Sequence, residues 1–109
     1  MGREYFYHLE YAGNSITTRV TLGTVRELEL LVNGHGAADE RLHGHHAEMH
    51  VLRAVLPGDP PTEASVEVAM PAALHGEPAC TLVAGDDRLP MPERPMPHNA
   101  RPTEASWYD

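Results

Sequence analysis

Residues 24–34, TVRELELLVNG, decide the fold class, because their spacing is that of a helix in a chain otherwise read as strands. Thr24 stands three residues before Glu27, where a threonine cap and a glutamate can satisfy each other's free backbone donors at a helix start. Val25, Leu28, Leu31 and Val32 then fall on one side, and Asn33-Gly34 supplies a stop. The spacing predicts a short amphipathic helix laid across a sheet.

Upstream, YFYHLEY (5–11) alternates: Tyr5, Tyr7, Leu9 and Tyr11 share one face, Phe6, His8 and Glu10 the other. Gly13, Asn14 and Ser15 supply turn chemistry before the β-branched ITTRVTL (16–22), so the two segments read as a hairpin. Downstream, residues 34–46 carry three glycines and little apolar content and read as a loop with room for one irregular helical turn. AEMHVLRAVL (47–56) fits both periods. Helical spacing aligns Met49, Leu52, Val55 and Leu56, while strand spacing puts Met49, Val51 and Val55 together with Arg53 interrupting. It is read as a strand because Pro57-Gly58 and a turn-rich stretch lead to ASVEVAM (64–70), where Val66 and Val68 alternate with Glu67. ACTLVAG (79–85) gives a further strand. The expected fold is α+β: a small antiparallel sheet with one short helix packed on one face, spanning 1–87. Residues 88–109 follow as a proline-rich tail or strap.

A chain of 109 residues has room for one modest core. Sixteen acidic residues against eight basic ones, all arginine, give a net charge of -8. This surface repels phosphate backbones and argues against nucleic acid. The single Cys80 makes no internal disulfide, the N-terminus lacks an apolar signal run, and no apolar stretch is long enough for a bilayer. The expectation is a cytoplasmic protein without membrane contact.

Chemistry concentrates in HGHHAEMHV (43–51), which holds four of the eight histidines. His43, His46, Glu48 and His50 are ligand types that zinc or another transition metal accepts, with His35, Asp39 or Glu40 near enough in sequence to complete a shell. The order is not that of HExxH, and no thiolate scaffold accompanies it. Cys80 sits in an apolar run and reads as a buried small side chain. No phosphate loop and no complete catalytic signature is present, so no catalytic residue and no cofactor are assigned. The aromatic residues tell of binding: Trp107 and Tyr108 close the chain as an anchor on the core or as a recognition element. With Asp86, Asp87 and Glu93 they form the expected contact set for a basic protein partner.

The order YFYHLEYAGNSITTRVTLGTVRELELLV, AEMHVLRAVL, ASVEVAM, ACTLVAGDD resembles that of the small immunity proteins of actinobacterial polymorphic-toxin systems, in particular the Imm1-like group. The resemblance covers roughly residues 5–87 and departs from the family at the histidine cluster and the proline-rich tail. It implies a strand pair leading into a helix and further strands, in a short, acidic, cytoplasmic protein that neutralises a toxin by binding it. Three readings stand at this point: a non-catalytic protein-binding module, a small histidine-ligated metalloprotein or metalloenzyme, and an accessory subunit of a larger assembly.

Overall fold

The computed structural model describes residues 3–44, 46–72 and 76–94. Eight strands follow one another: β1 (Arg3–Tyr11), β2 (Asn14–Leu22), β3 (Arg26–Val32), β4 (His35–Leu42), β5 (Glu48–Leu56), β6 (Thr62–Met70), β7 (Ala79–Ala84) and β8 (Asp87–Met91). They form two four-stranded sheets in chain order, β1-β2-β3-β4 and β5-β6-β7-β8, with every pairing antiparallel. Among the described residues there is no helix, which corrects the α+β expectation to all-β.

The correction lies in residues 24–34. Thr24 is an exposed turn residue, and from Arg26 the side chains alternate. Arg26, Leu28, Leu30 and Val32 are buried, while Glu27 and Glu29 between them are half-exposed. Leu and Glu favour helices, but so short a helix would gain little from its own hydrogen bonds. As a strand, β3 pairs with β2 (Val20 opposite Leu28) and with β4 (Leu28 opposite Glu40), so both of its edges are paired. Asn33 and Gly34 both take positive φ, 53° and 83°, as a two-residue hairpin turn of the primed type requires. The residues expected to stop a helix instead turn β3 into β4, and the expected loop at 34–46 is largely that strand.

β1, β2, β5, β6 and β7 fall where their alternation puts them. β8 contains Pro90 opposite Thr81, tolerated on the outermost strand of its sheet. Beyond it the chain crosses to β1: His8 N donates to Pro92 O (3.0 Å), Arg94 N to Phe6 O (2.6 Å), and Tyr7 faces Glu93 in an isolated bridge. The first and last strands are thus joined, while β4 and β5 share no ladder among the described residues. The result is an up-and-down meander wrapped almost into a barrel, flattened, and open along one seam.

Val20, Leu28 and Leu30 from the first sheet and Val66, Val68 and Leu82 from the second fill the space between the layers and are essentially inaccessible. Polar side chains fasten both ends. At one end, Asn33 Nδ2 donates to Asn14 Oδ1 (2.8 Å), Ser15 N donates to Asn33 Oδ1 (2.9 Å), and Asn14 Nδ2 donates to Pro57 O (3.1 Å). These bonds tie two hairpin turns of the first sheet to the β5–β6 connection of the second. At the other end Arg26, 2 % exposed, donates from Nη1 to His46 O (3.1 Å) and from Nη2 to Pro71 O (2.8 Å). One guanidinium therefore holds the start of β3 to the β4–β5 and β6–β7 connections.

Candidate functional site: the outer face of the second sheet

Along β5 the even-numbered side chains turn toward the core, with Leu52 and Leu56 fully covered and His50 half-buried. The odd-numbered ones turn outward. Met49 and Val55 are each 59 % exposed and Val51 40 %, the large apolar side chains that stand out to solvent. Their partners across β6 are Ala69, Glu67 and Glu63, which are too small or too hydrophilic to cover them. Arg53 interrupts the row opposite Ser65. Around Arg53 and Val55, the side chains of Glu63, Ser65 and Val83 and the turn at Gly85 enclose an open hollow of about 450 Å³. Nearby, Arg88 Nη2 donates to Glu67 Oε1 (2.6 Å), and this hydrogen bond holds the Glu67 carboxyl below its ordinary range. The face is an apolar row with mixed charge at its margin, the make-up of a protein contact surface. Arg53 was its signal in the sequence, since a strand face broken by an arginine is the solvent face.

Among the described residues the histidine stretch forms no ligand cluster. His43 and His46 are exposed in the β4–β5 connection, and the carbonyl of His46 is spent on Arg26. Glu48 and His50 lie on one face at the start of β5, with His50 Nε2 2.5 Å from Glu48 Oε2. His50 Nδ1 is 3.6 Å from Glu40 Oε2 on β4, so His50 links the two strands across the open seam. Among the described residues no three His, Cys, Asp or Glu side chains are placed to hold a metal ion.

Of the expected partner residues, Asp86 is exposed in the β7–β8 turn, directly after Gly85 in the chain, and Asp87, also exposed, opens β8. Asp87 Oδ2 accepts the Tyr11 hydroxyl proton at 2.8 Å, which pushes the Tyr11 hydroxyl above its ordinary range. Glu93 lies six residues further along an extended chain, about 20 Å away by strand rise, and does not join them. Trp107 and Tyr108 lie outside the described residues. No helix among the described residues is long and apolar enough to cross a membrane.

Cys80 faces the core from β7, and burial pushes its thiol from 9.0 up to about 12, which removes it as a nucleophile at neutral pH. Burial also raises the Tyr7 hydroxyl, which donates to Pro78 O at 2.6 Å. Both groups are neutral in the folded chain at pH values where the unfolded chain ionises. The contribution of Cys80 to stability is complete below about pH 9 and is lost as the pH climbs through about 12, and that of Tyr7 is lost at higher pH still. Urea midpoints measured from pH 8.5 upward are expected to fall, and to fall less steeply in Cys80→Ala. An equal slope in that variant would remove the thiol from the explanation.

Comparison with protein-family models, with curated proteins and with solved structures finds no match to this chain.

Proposed function

We propose that this chain is a non-catalytic protein-binding domain, and that the outward face of β5 and β6 is its contact surface. The observation that carries the reading is the solvent-facing row Met49, Val51 and Val55 on an outermost strand. Fully covering a side chain of this kind is worth roughly 1.5–3 kcal/mol, so three of them supply the centre of an interface. Arg53 within the row and Glu63 beside it set register and orientation. The net charge of -8, with Asp86 and Asp87 exposed at the β7–β8 turn, favours a basic partner whose approach slows as salt rises.

This reading does not lean on the immunity-protein resemblance, whose order of elements puts a helix where β3 stands. Toxin neutralisation is one form that such binding takes. An accessory subunit is another, in which the partner is permanent. The metalloprotein reading would need His43 and His46 brought to His50, and among the described residues no such group is placed to hold a metal ion.

Native mass spectrometry of the untagged protein, recovered from its own cells after mild cross-linking, tests the proposal. The expected spectrum is a metal-free chain with a second polypeptide attached. A stoichiometric transition metal and no polypeptide would replace the binding reading with the metal one.

A further inference from the structure

Among the described residues the three large apolar side chains that stand out to solvent, Met49, Val51 and Val55, all belong to β5. On β6 the outward positions beside them are Ala69, Glu67, Ser65 and Glu63. The apolar exposure is therefore a line along one strand and not a disc across the sheet. That line coincides with a sheet end. β5 pairs with β6 on one side, and among the described residues no ladder joins its other side to β4. Alternate residues of an antiparallel strand turn N–H and C=O to the same side, so about half of the peptide groups of β5 point toward that unpaired edge.

The other sheet ends are joined or guarded. β8 has only five residues and contains Pro90, and the chain beyond it is bonded to β1 through His8 N to Pro92 O and Arg94 N to Phe6 O. β4, the end of the first sheet across the seam, carries Asp39, Glu40 and Arg41, all exposed. Proline, short length and charge all keep an edge from pairing with another chain. β5 is nine residues long, holds no proline, and breaks its outward row with Arg53 alone.

Charge at this edge selects the partner. Glu40 Oε2 is 3.6 Å from His50 Nδ1 and Glu48 Oε2 is 2.5 Å from His50 Nε2, so two exposed carboxylates gather where β5 begins. Glu63, exposed opposite Val55, adds a third toward the other end. We propose that the partner engages β5 by strand addition, pairing the backbone of an extended basic segment with the unpaired edge along residues 51–56. This rests on the outward-face reading above and specifies how that face is engaged. The added strand sets apolar side chains opposite Val51 and Val55 and a polar one opposite Arg53. Its basic residues stand at its ends, against Glu48 with Glu40 and against Glu63. Residues directly opposite across a sheet have Cβ atoms about 4.5–5.5 Å apart, close enough for the incoming side chains to cover both valines. Main-chain hydrogen bonds then supply affinity, and the alternate side chains supply specificity. The His50–Glu40 contact lies before this stretch, next to the β4–β5 connection, and stays in place.

The test uses the isotope-labelled full chain and an acetylated, amidated peptide of about eight residues, with arginine at each end and valine alternating with threonine between. Binding is expected to slow hydrogen exchange of alternate amides within residues 51–56 by about tenfold or more, read by nuclear magnetic resonance. Replacing both arginines of the peptide by glutamate should weaken binding about tenfold, and N-methylating its central residues should abolish the slowing. Peptide binding that shifts the resonances of Val51 and Val55 without slowing any β5 amide would overturn strand addition and keep the outward face as the contact surface. Absence of binding at millimolar peptide would overturn strand addition too, and native mass spectrometry then decides the outward-face reading on its own. Slowing that appears without peptide and grows with protein concentration would assign the edge to a second copy and overturn a basic partner strand.

Discussion

Arg26→Ala is expected to lower the unfolding free energy by about 3–5 kcal/mol, measured by urea titration at pH 7. The side chain is 2 % exposed and makes hydrogen bonds to the carbonyls of His46 and Pro71, in the β4–β5 and β6–β7 connections at one end of the domain. A charge-assisted hydrogen bond contributes about 1.5–3 kcal/mol, and truncation also strips the packing of the aliphatic stem. Arg26→Met keeps most of that stem and should recover only the packing share. Arg26→Lys should rescue poorly, since a single ammonium does not reproduce a fork that spans two carbonyls from different connections. A loss below about 1 kcal/mol in Arg26→Ala would mean that this end of the domain is held by something else.

The second large effect is on binding and not on stability. Val51→Gln combined with Val55→Gln is expected to leave the urea midpoint nearly unchanged, within about 0.5 kcal/mol, because both side chains already face solvent and no like charge is set opposite Glu67 or Glu63. The same pair should weaken partner association about 100-fold or more, since each replacement removes apolar contact at the centre of the interface and leaves an amide to desolvate there. Leu52→Glu, one residue away but 3 % exposed, is the contrast: it places a carboxylate in the core and should abolish folding. An unchanged affinity in the double variant, with folding intact, would move the contact surface elsewhere.

The parts legible in the sequence are those whose information is local. The β1–β2 hairpin announces itself through alternation and a turn at Ala12-Gly13, where φ is 50° and 79°. β3 misleads because Leu28, Leu31 and Val32 satisfy a helical stripe, while Leu28, Leu30 and Val32 satisfy a strand. Asn33-Gly34 does not arbitrate, since a helix stop and a primed hairpin turn demand the same left-handed backbone. What decides is pairing with β2 and β4, which no window of eleven residues contains. β4 is hidden for another reason: HGAADERL is largely exposed and sends only Ala38 and Leu42 against the core, too few for a pattern, so pairing with β3 makes it a strand.

The same distinction governs the candidate site. Histidines adjacent in sequence read as a ligand set; among the described residues His43 and His46 lie in the β4–β5 connection and His50 on β5, with no group of three placed to hold a metal. Arg26 drew no attention because its partners are backbone carbonyls 20 and 45 residues away. The binding face was half visible: Met49, Val51 and Val55 align at strand spacing, and only the layered fold shows that this alignment points to solvent.

The most direct measurement is site-specific photo-cross-linking in the native host, with a photoreactive residue at position 51 on the second sheet and, separately, at position 29 on the outward face of the first. The expected result is a discrete heavier species, containing another polypeptide, from position 51 and none from position 29. An adduct from position 29 with none from position 51, or no adduct from either, would contradict binding through the second sheet.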